Sequence, residues 1–238
     1  MAEDGPIRGL RRIELRATDP ASAAEHYRQL FGWIVMTAED GTLRCWVGDR
    51  LAVLVRPPTS WETTGWHAVF GGRPSALLTD PAGISATLDP GRVRHGPFAP
   101  PPRHGEPCWI ELMTATATDD YWNRELGWAT RAAGQARDIK PFALHTVASD
   151  EDTPGERAIA GRLLIDAATA AGVGTTWMTY FAVSDIEAAT DAAVLAGGTV
   201  LIEPREVETG LLAAIADPFG TVSTLLQDPI GWGGAWAS

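Results

Sequence analysis

Two carboxylates at matching places in this sequence are its best candidates for proton chemistry. Glu14 lies in Arg11-Arg-Ile-Glu-Leu-Arg16 and Glu111 in Trp109-Ile-Glu-Leu-Met113. Strand alternation puts each Glu opposite an aliphatic pair, Ile13 and Leu15 in the first copy, Ile110 and Leu112 in the second. Arg12, Glu14 and Arg16 then share one face, as do Trp109, Glu111 and Met113. A carboxyl desolvated among aromatic rings has its pKa raised towards working pH and can serve as a general acid or base. The competing reading is structural, for example an ion pair of Glu14 with Arg12 or Arg16. His67, in Trp66-His-Ala-Val-Phe70, and His145, in Phe142-Ala-Leu-His-Thr-Val147, stand behind the carboxylates as proton-transfer candidates, together with Tyr180. Each histidine occupies an expected strand of its own half, and the two suggest a matched pair. Hydrogen bonding within the sheet is the competing role for both. Arg12 could hold an enolate or a carboxylate by charge-assisted hydrogen bonds.

Other chemistries leave no trace. The glycine-rich dinucleotide fingerprint, the phosphate-binding lysine loop, the serine elbow and the two-histidine zinc motif are all missing. Neither Cys45 nor Cys108 has a neighbouring histidine to make a thiolate. The net charge of −11, with no cluster of Lys and Arg, argues against nucleic acid and anionic membranes as partners. Two cysteines suit a reducing compartment better than a disulfide framework, and the acidic start lacks the pattern of a signal peptide. No apolar run approaches the ~18 residues of a membrane span. A cytoplasmic location is expected.

The elements that must position these residues come in two copies. RRIELRATDPASAAEHYRQLFGW, ending at Trp33, and WIELMTATATDDYWNRELGW, ending at Trp128, both read as strand, turn, amphipathic helix and Gly-Trp. Further on, Asp80-Pro-Ala-Gly83 and Asp217-Pro-Phe-Gly220 each join a short strand to an apolar strand bearing Ser or Thr. The order repeats, so the chain is a duplication with halves at 1–104 and 105–238, joined near the proline-rich stretch 99–107. Asp19 should cap the first helix with Pro20 in its first turn, and Ser184-Asp-Ile-Glu187 should form a capping box before a helix ended by Gly197-Gly198. TLRCWVG, RLAVLVR, WHAVF, FALHTV, TTWMTYFAV and TVLIEP have strand character. The class is α+β, in βαβββ-like units, and the first half has too little chain between Pro58 and Ala99 for a second helix.

Strand–Thr-Asp-Pro–helix–Leu-Phe-Gly-Trp (Glu14–Trp33), Tyr-Phe-X-Val-X-Asp–helix–Gly-Gly (Tyr180–Gly198) and Asp-Pro-X-Gly–strand (Asp217–Gln227) together resemble the vicinal oxygen chelate (glyoxalase/bleomycin resistance protein/dioxygenase) superfamily. The resemblance implies paired βαβββ modules whose curved mixed sheets enclose a cavity, the N-terminal half being reduced. Members of the superfamily include tailoring enzymes of natural-product biosynthesis and antibiotic-resistance proteins, and the two-half, single-chain form is similar to actinobacterial proteins labelled glyoxalase-like or hydroxylase. Metal-dependent relatives place a His, Gln or Glu at the start of a module's first strand and a Glu seven residues after the Asp of Asp-Pro-X-Gly. Here those positions hold Arg12, Trp109 and Met178, then Thr87 and Thr224, none a good ligand for a divalent ion. Neither a metal nor another cofactor is expected.

Within such a cavity Met178 and Tyr180 would share a face, with Thr87 and Thr224 on the last strands. Trp46, Trp66, Trp109 and Trp177 lie on or beside strands and could stack on a flat ligand, alongside Arg12, Met113, Met178, Thr87 and Thr224. Trp33 and Trp128 read as core, and Trp61, Trp232 and Trp236 as rim or dimer contacts. The expected partner is a hydrophobic or aromatic small molecule. The expected function is a metal-independent tailoring reaction of acid–base type, a cyclisation, isomerisation or ring opening of an aromatic or polyketide-like compound. The alternative is a non-catalytic protein that sequesters such a molecule. One chain supplies two facing halves, so either a monomer or a homodimer would serve.

Overall fold

The computed structural model describes residues 9–72, 74–132, 142–148, 155–207 and 210–232, and the side chains of 172 and 173 are outside the description. Trp236 therefore lies outside the described residues. Two mixed sheets make up the fold. The first comprises β1 (Leu10–Arg16), β2 (Ile34–Thr37), β3 (Leu43–Val47), β4 (Arg50–Arg56), β5 (Gly65–Gly71), β6 (Ala76–Thr79) and β7 (Ser85–Asp89), in the order β2-β3-β4-β1-β5-β7-β6. The second comprises β8 (Pro107–Thr114), β9 (Ala129–Ala132), β10 (Phe142–Ala148), β11 (Glu156–Leu164), β12 (Thr176–Val183), β13 (Thr199–Val207), β14 (Gly210–Ala216) and β15 (Val222–Gln227), in the order β13-β14-β15-β12-β8-β11-β10-β9. The helices are α1 (Pro20–Phe31), α2 (Asp119–Leu126), α3 (Ala167–Val173) and α4 (Ile186–Leu195).

Each sheet is two modules laid side by side. The first strand of every module pairs in parallel with its last, β1 with β4, β5 with β7, β8 with β11 and β12 with β15. The modules join where β1 meets β5 and β8 meets β12, both antiparallel. The module starting at β5 is the reduced one, since no helix lies among the described residues between β4 and β8. No helix among the described residues is long and apolar enough to cross a membrane.

Local chemistry explains the helix ends. Asp19 accepts from the Ser22 amide, Pro20 opens α1, and Gly32 closes it at a φ of 66°. Gly127 closes α2 at 68°, so both Gly-Trp junctions depend on a left-handed residue that only glycine adopts without strain. At α4 the cap is one residue later than expected: Asp185, not Ser184, accepts from the Ala188 amide, and the Ser184 amide donates to His104. His26 of α1 is buried, with Nδ1 3.0 Å from the Ala196 carbonyl beyond α4. The long strand β11 and the short helix α3 were not legible as elements, because neither alternation nor a capping box marks them out clearly.

The two halves meet through a crossed exchange of side chains. The two Asp-Pro-X-Gly turns are built alike: Asp80 Oδ1 accepts from Ala82 and Ile84 amides, Asp217 Oδ1 from Phe219 and Thr221. Each second oxygen is satisfied by the other half. Asp80 Oδ2 accepts from Trp122 Nε1 (3.1 Å) and Thr118 Oγ1 (2.6 Å) at α2, and Asp217 Oδ2 from the Tyr27 hydroxyl (3.3 Å) of α1. Tyr27 and Trp122 are repeat equivalents, each six residues before the Gly-Trp tryptophan. Rings follow the same rule. Trp66 packs on Tyr27 and on Phe181 of the other half, both with centroids 5.1 Å away, while Trp177 packs on Trp122 and Phe70 at 5.0 and 5.4 Å.

One difference breaks the symmetry. Trp66 Nε1 donates to Ser223 Oγ at 2.9 Å, whereas Trp177 Nε1 is buried without a partner. The residue equivalent to Ser223 is Ala86, six places after Asp80 as Ser223 is after Asp217. Ala86→Ser is therefore expected to give Trp177 its missing acceptor and to raise stability by about 1 kcal/mol in chemical denaturation. Asp80→Ala, which strands two turn amides and two donors of the other half, should lower it by roughly 3 kcal/mol. An unchanged or lower denaturation midpoint for the serine variant would show that the two seams are not equivalent.

Candidate functional site

The faces that bear Ile13, Leu15, Ile110 and Leu112 form the shared core, so chemistry is left to the opposite, inner face of each sheet. On the first inner face the polar groups neutralise one another. Glu14 accepts from Arg12 Nε at 2.8 Å through Oε1 and from Arg56 Nε at 3.1 Å through Oε2. Arg56 also grips Glu62 with two bonds of 2.7 Å, Arg16 reaches Glu62 at 2.9 Å, and Arg11 and Arg12 both pair with Asp89. Of the two readings of Glu14, the ion pair is the one observed, with Arg56 rather than Arg16 as its second partner. With both oxygens on guanidiniums, Glu14 serves as a counter-ion. His67, beside Glu14 across the β1–β5 seam, lies 2.8 Å from Thr87 Oγ1. Burial, then Arg16, pushes its pKa down to about 4, so the ring is neutral at pH 7. Trp46 belongs to this same face, half-buried and opposite the buried Cys45.

The second inner face has the same plan and the opposite character. Repeat equivalence places Trp109 where the first half has Arg12, Met113 for Arg16, and Leu163 for Arg56. Glu111 therefore loses every cation that surrounds Glu14. It is buried, with the Tyr180 hydroxyl donating to Oε2 at 3.3 Å and the Trp109 side chain a second hydrogen-bond partner. Desolvation outweighs those bonds and pushes its pKa up to about 7. Burial beside Glu111 holds Tyr180 well above the usual phenol range, so its hydroxyl stays protonated and able to donate. Gly161 faces Glu111 from β11; a Cβ there would lie 3.1 Å from Glu111 Cγ and 3.0 Å from the Phe142 ring, so any larger residue would press on both side chains. Met178 stands opposite Glu111 on β12, and Thr224 Oγ1 touches its sulfur at 3.1 Å.

The expected site residues thus fall into three groups. Glu111, Tyr180, Trp109, Met113, Met178 and Thr224 come together on the second inner face. Arg12, Glu14, His67, Thr87 and Trp46 line the first. Trp66, Trp177 and His145 go to neither: the two tryptophans belong to the seam, and His145 is fully buried against Trp128, its ring centroid 5.4 Å away. His145 Nδ1 is 3.3 Å from Thr130 Oγ1, and burial pushes its pKa down to about 4 despite Asp119 nearby. His67 and His145 are not a matched pair. The counterpart of His67 is Met178, because Glu14 faces His67 as Glu111 faces Met178.

Trp232, expected at the rim or in a dimer contact, is buried within the chain instead. Its ring packs on Trp109 at 5.9 Å, its Nε1 donates to the Ile159 carbonyl at 2.8 Å, and both rings are buried. The second inner face is therefore roofed by a residue from beyond the last strand.

The superfamily's metal positions do not suit an ion in this chain. Arg12 is a cation, Trp109 donates only, and Met178, Thr87 and Thr224 supply a thioether and two hydroxyls. His67 adds one imidazole, but the nearest carboxylate across the seam, Glu14, is already held by two guanidiniums. No group of three His, Cys, Asp or Glu side chains that could hold an ion occurs among the described residues. No chemical step is assigned to a metal here.

Comparison with known proteins agrees with this architecture. "Putative glyoxylase CFP32" of Mycobacterium bovis is 27% identical over 128 residues, 52% of this chain and 46% of that protein. The chain thus matches about half the length of this curated relative. The structure of the 2,3-dioxygenase LapB from Pseudomonas sp. KL28 superposes with a TM-score of 0.59 at 12% identity, over 93% of each chain. The Mn(II)-bound glyoxalase from Novosphingobium aromaticivorans gives 0.59 at 11% identity, over 94% of this chain and 83% of that one. Identities this low speak for the fold alone. The family description "Glyoxalase/Bleomycin resistance protein/Dioxygenase superfamily" matches residues 9–223, nearly the whole chain, and with four recognisable modules in two sheets the chain belongs to that superfamily.

Proposed function

We propose that this protein catalyses a metal-independent acid–base step, a cyclisation, isomerisation or ring opening, on a hydrophobic aromatic or polyketide-like small molecule. The observation that carries the reading is Glu111, a buried carboxyl without a cation, in a place where its repeat equivalent has two. With a pKa of about 7, it is divided between acid and base at neutral pH. The ionised form takes a proton from the substrate and returns it elsewhere on the same molecule, so the enzyme ends as it began. The Tyr180 hydroxyl turns from Glu111 to the substrate oxygen on which charge develops. Trp109, Met113 and Met178 form the apolar wall that keeps the carboxyl desolvated, and the half-buried Met178 and Tyr180 are where a flat ligand would meet it. Glu14, His67 and His145 take no part in this scheme, the first being ion-paired and the histidines buried and neutral. Arg12, expected to hold an enolate or carboxylate, is committed to Glu14 and Asp89.

Glu111 should titrate with a midpoint near 7 in carboxyl-carbon NMR, with the signal missing from Glu111→Gln. Its folded pKa lies above the unfolded value, so its contribution to stability is complete below about pH 4.5 and is lost as pH rises through 7. Relative to the wild type, Glu111→Gln should gain roughly 3 kcal/mol in unfolding free energy between pH 4 and pH 8. A flat difference would show that the carboxyl is not desolvated.

Leu163→Arg, which copies Arg56 into the second half, should pull the Glu111 midpoint towards the ordinary carboxylate range. Turnover should be lost in both variants. The substrate class is tested by screening aromatic metabolites for tryptophan quenching and analysing the bound fraction by mass spectrometry. Ligand recovered unchanged would favour sequestration, and a stoichiometric divalent metal in the purified protein would overturn metal independence.

A further inference from the structure

The chain between β7 and β8 builds a second chamber that owes nothing to Glu111. The Arg94 and His95 amides both donate to the Leu10 carbonyl at 3.1 Å, and the Arg11 guanidinium donates to the Arg92 carbonyl at 3.3 Å. Val93 fits against Gly9 and Gly71, where an added Cβ would come within 3.0 Å of it. Residues 91–95 are thereby strapped across the start of β1. Beneath residues 91–102 lies a cavity of about 650 Å³, bounded by this strap, the start of β4, Ile159 and Trp232. It shares only Trp232 with the surroundings of Glu111, Trp232 being the residue that covers Trp109.

The cavity has an apolar side and a charged side. Leu51, Phe98, Ile159 and Trp232 supply the first. On the charged side, Glu106 Oε2 accepts from Arg50 at 3.0 Å and from the Arg103 amide at 2.8 Å while its Oε1 is buried without a partner, and Asp49 pairs with Arg103 at 2.8 Å. Arg92 and Arg94 form no ion pair among the described residues, and the neighbouring Arg11 and Arg12 are pinned to Asp89. Arg92 and Arg94 are both exposed, and desolvation, then repulsion from Arg11, Arg12 and Arg92, holds the Arg94 pKa below its usual value. This stands out in a chain of net charge −11. The wall also holds His95, buried, with Nε2 lacking any hydrogen-bond partner.

We propose that this cavity binds a small amphipathic carboxylate, with its anionic end on Arg92 and Arg94 and a flat apolar body against Phe98, Ile159 and Trp232. Two guanidinium forks match a carboxylate in geometry and charge, and the burial of the remainder of the ligand supplies affinity that exposed arginines alone would not. The site is separate from the proposed acid–base centre and does not depend on it.

Calorimetry of the full chain with 2-naphthoate, neutral 2-naphthamide and cationic 2-naphthylmethylammonium tests the proposal. Naphthoate should bind one-to-one and about tenfold more tightly than the amide, the worth of one charge-assisted hydrogen bond. The advantage should shrink as salt is raised and disappear in Arg92→Gln/Arg94→Gln, while Glu111→Gln leaves it intact. No naphthoate binding at millimolar concentration, equal binding of the amide, tighter binding of the amine or an unaffected double variant would each overturn the proposal. Loss of naphthoate binding in Glu111→Gln would move the ligand to the other site and overturn it as well. The comparison of the three ligands on unmodified protein stands even if the double variant does not fold.

Discussion

Everything in this molecule hangs on two buried aspartates that need donors they cannot find in their own half. Asp80 and Asp217 each spend one oxygen on their own turn and leave the other facing the partner half. A buried carboxylate oxygen without a donor costs several kcal/mol, so each half is held to the other by electrostatic need as well as by apolar area. The donors arrive on α1 and α2, and their placement fixes how those helices lie on the sheets. The stacks of Tyr27, Trp66 and Phe181, and of Trp122, Trp177 and Phe70, then fill the seam. With the core faces committed there, only the inner faces are left for ligands.

The duplication made two inner faces from one template, and substitution drove them apart. Where the first face has Arg12, Arg16 and Arg56, the second has Trp109, Met113 and Leu163, and only the carboxyl of the second is left without a cation and with a raised pKa. The backbone hardly enters into this. Glu14 and Glu111 occupy the same register on strands with the same parallel and antiparallel neighbours. Both carboxyls are buried alike, and what differs is the charge beside them.

Much of the architecture was legible because duplication prints itself on the sequence: the two Gly-Trp junctions, the two Asp-Pro-X-Gly turns and the α+β class all came from self-comparison. The reduced module was legible from the shortage of chain after Pro58. Glu111 was legible as a carboxyl among aromatic residues, but so was Glu14, and the choice between them turned on Arg56 and Leu163, more than 40 residues away in each case. His67 and His145 were matched wrongly because β5, deprived of its helix, does not look like a module's first strand. Trp232 follows no periodicity, so nothing in its neighbourhood could announce that it roofs Trp109. The strapped cavity depends on contacts between a proline-rich connection and the opening of β1, and no local pattern encodes these.

The crossed aspartates also bear on the history of the chain. An exchange in which each half gives a helix donor to the other's turn is an isologous contact, the kind that a twofold homodimer makes with itself. Fusion of two gene copies would preserve such a contact unchanged, and would free each copy to mutate alone. In a symmetric dimer any arginine lost near one carboxylate is lost near both. Two copies joined in one polypeptide are free of that constraint, and the contrast between Glu14 and Glu111 is a difference that a symmetric dimer of identical chains could not hold.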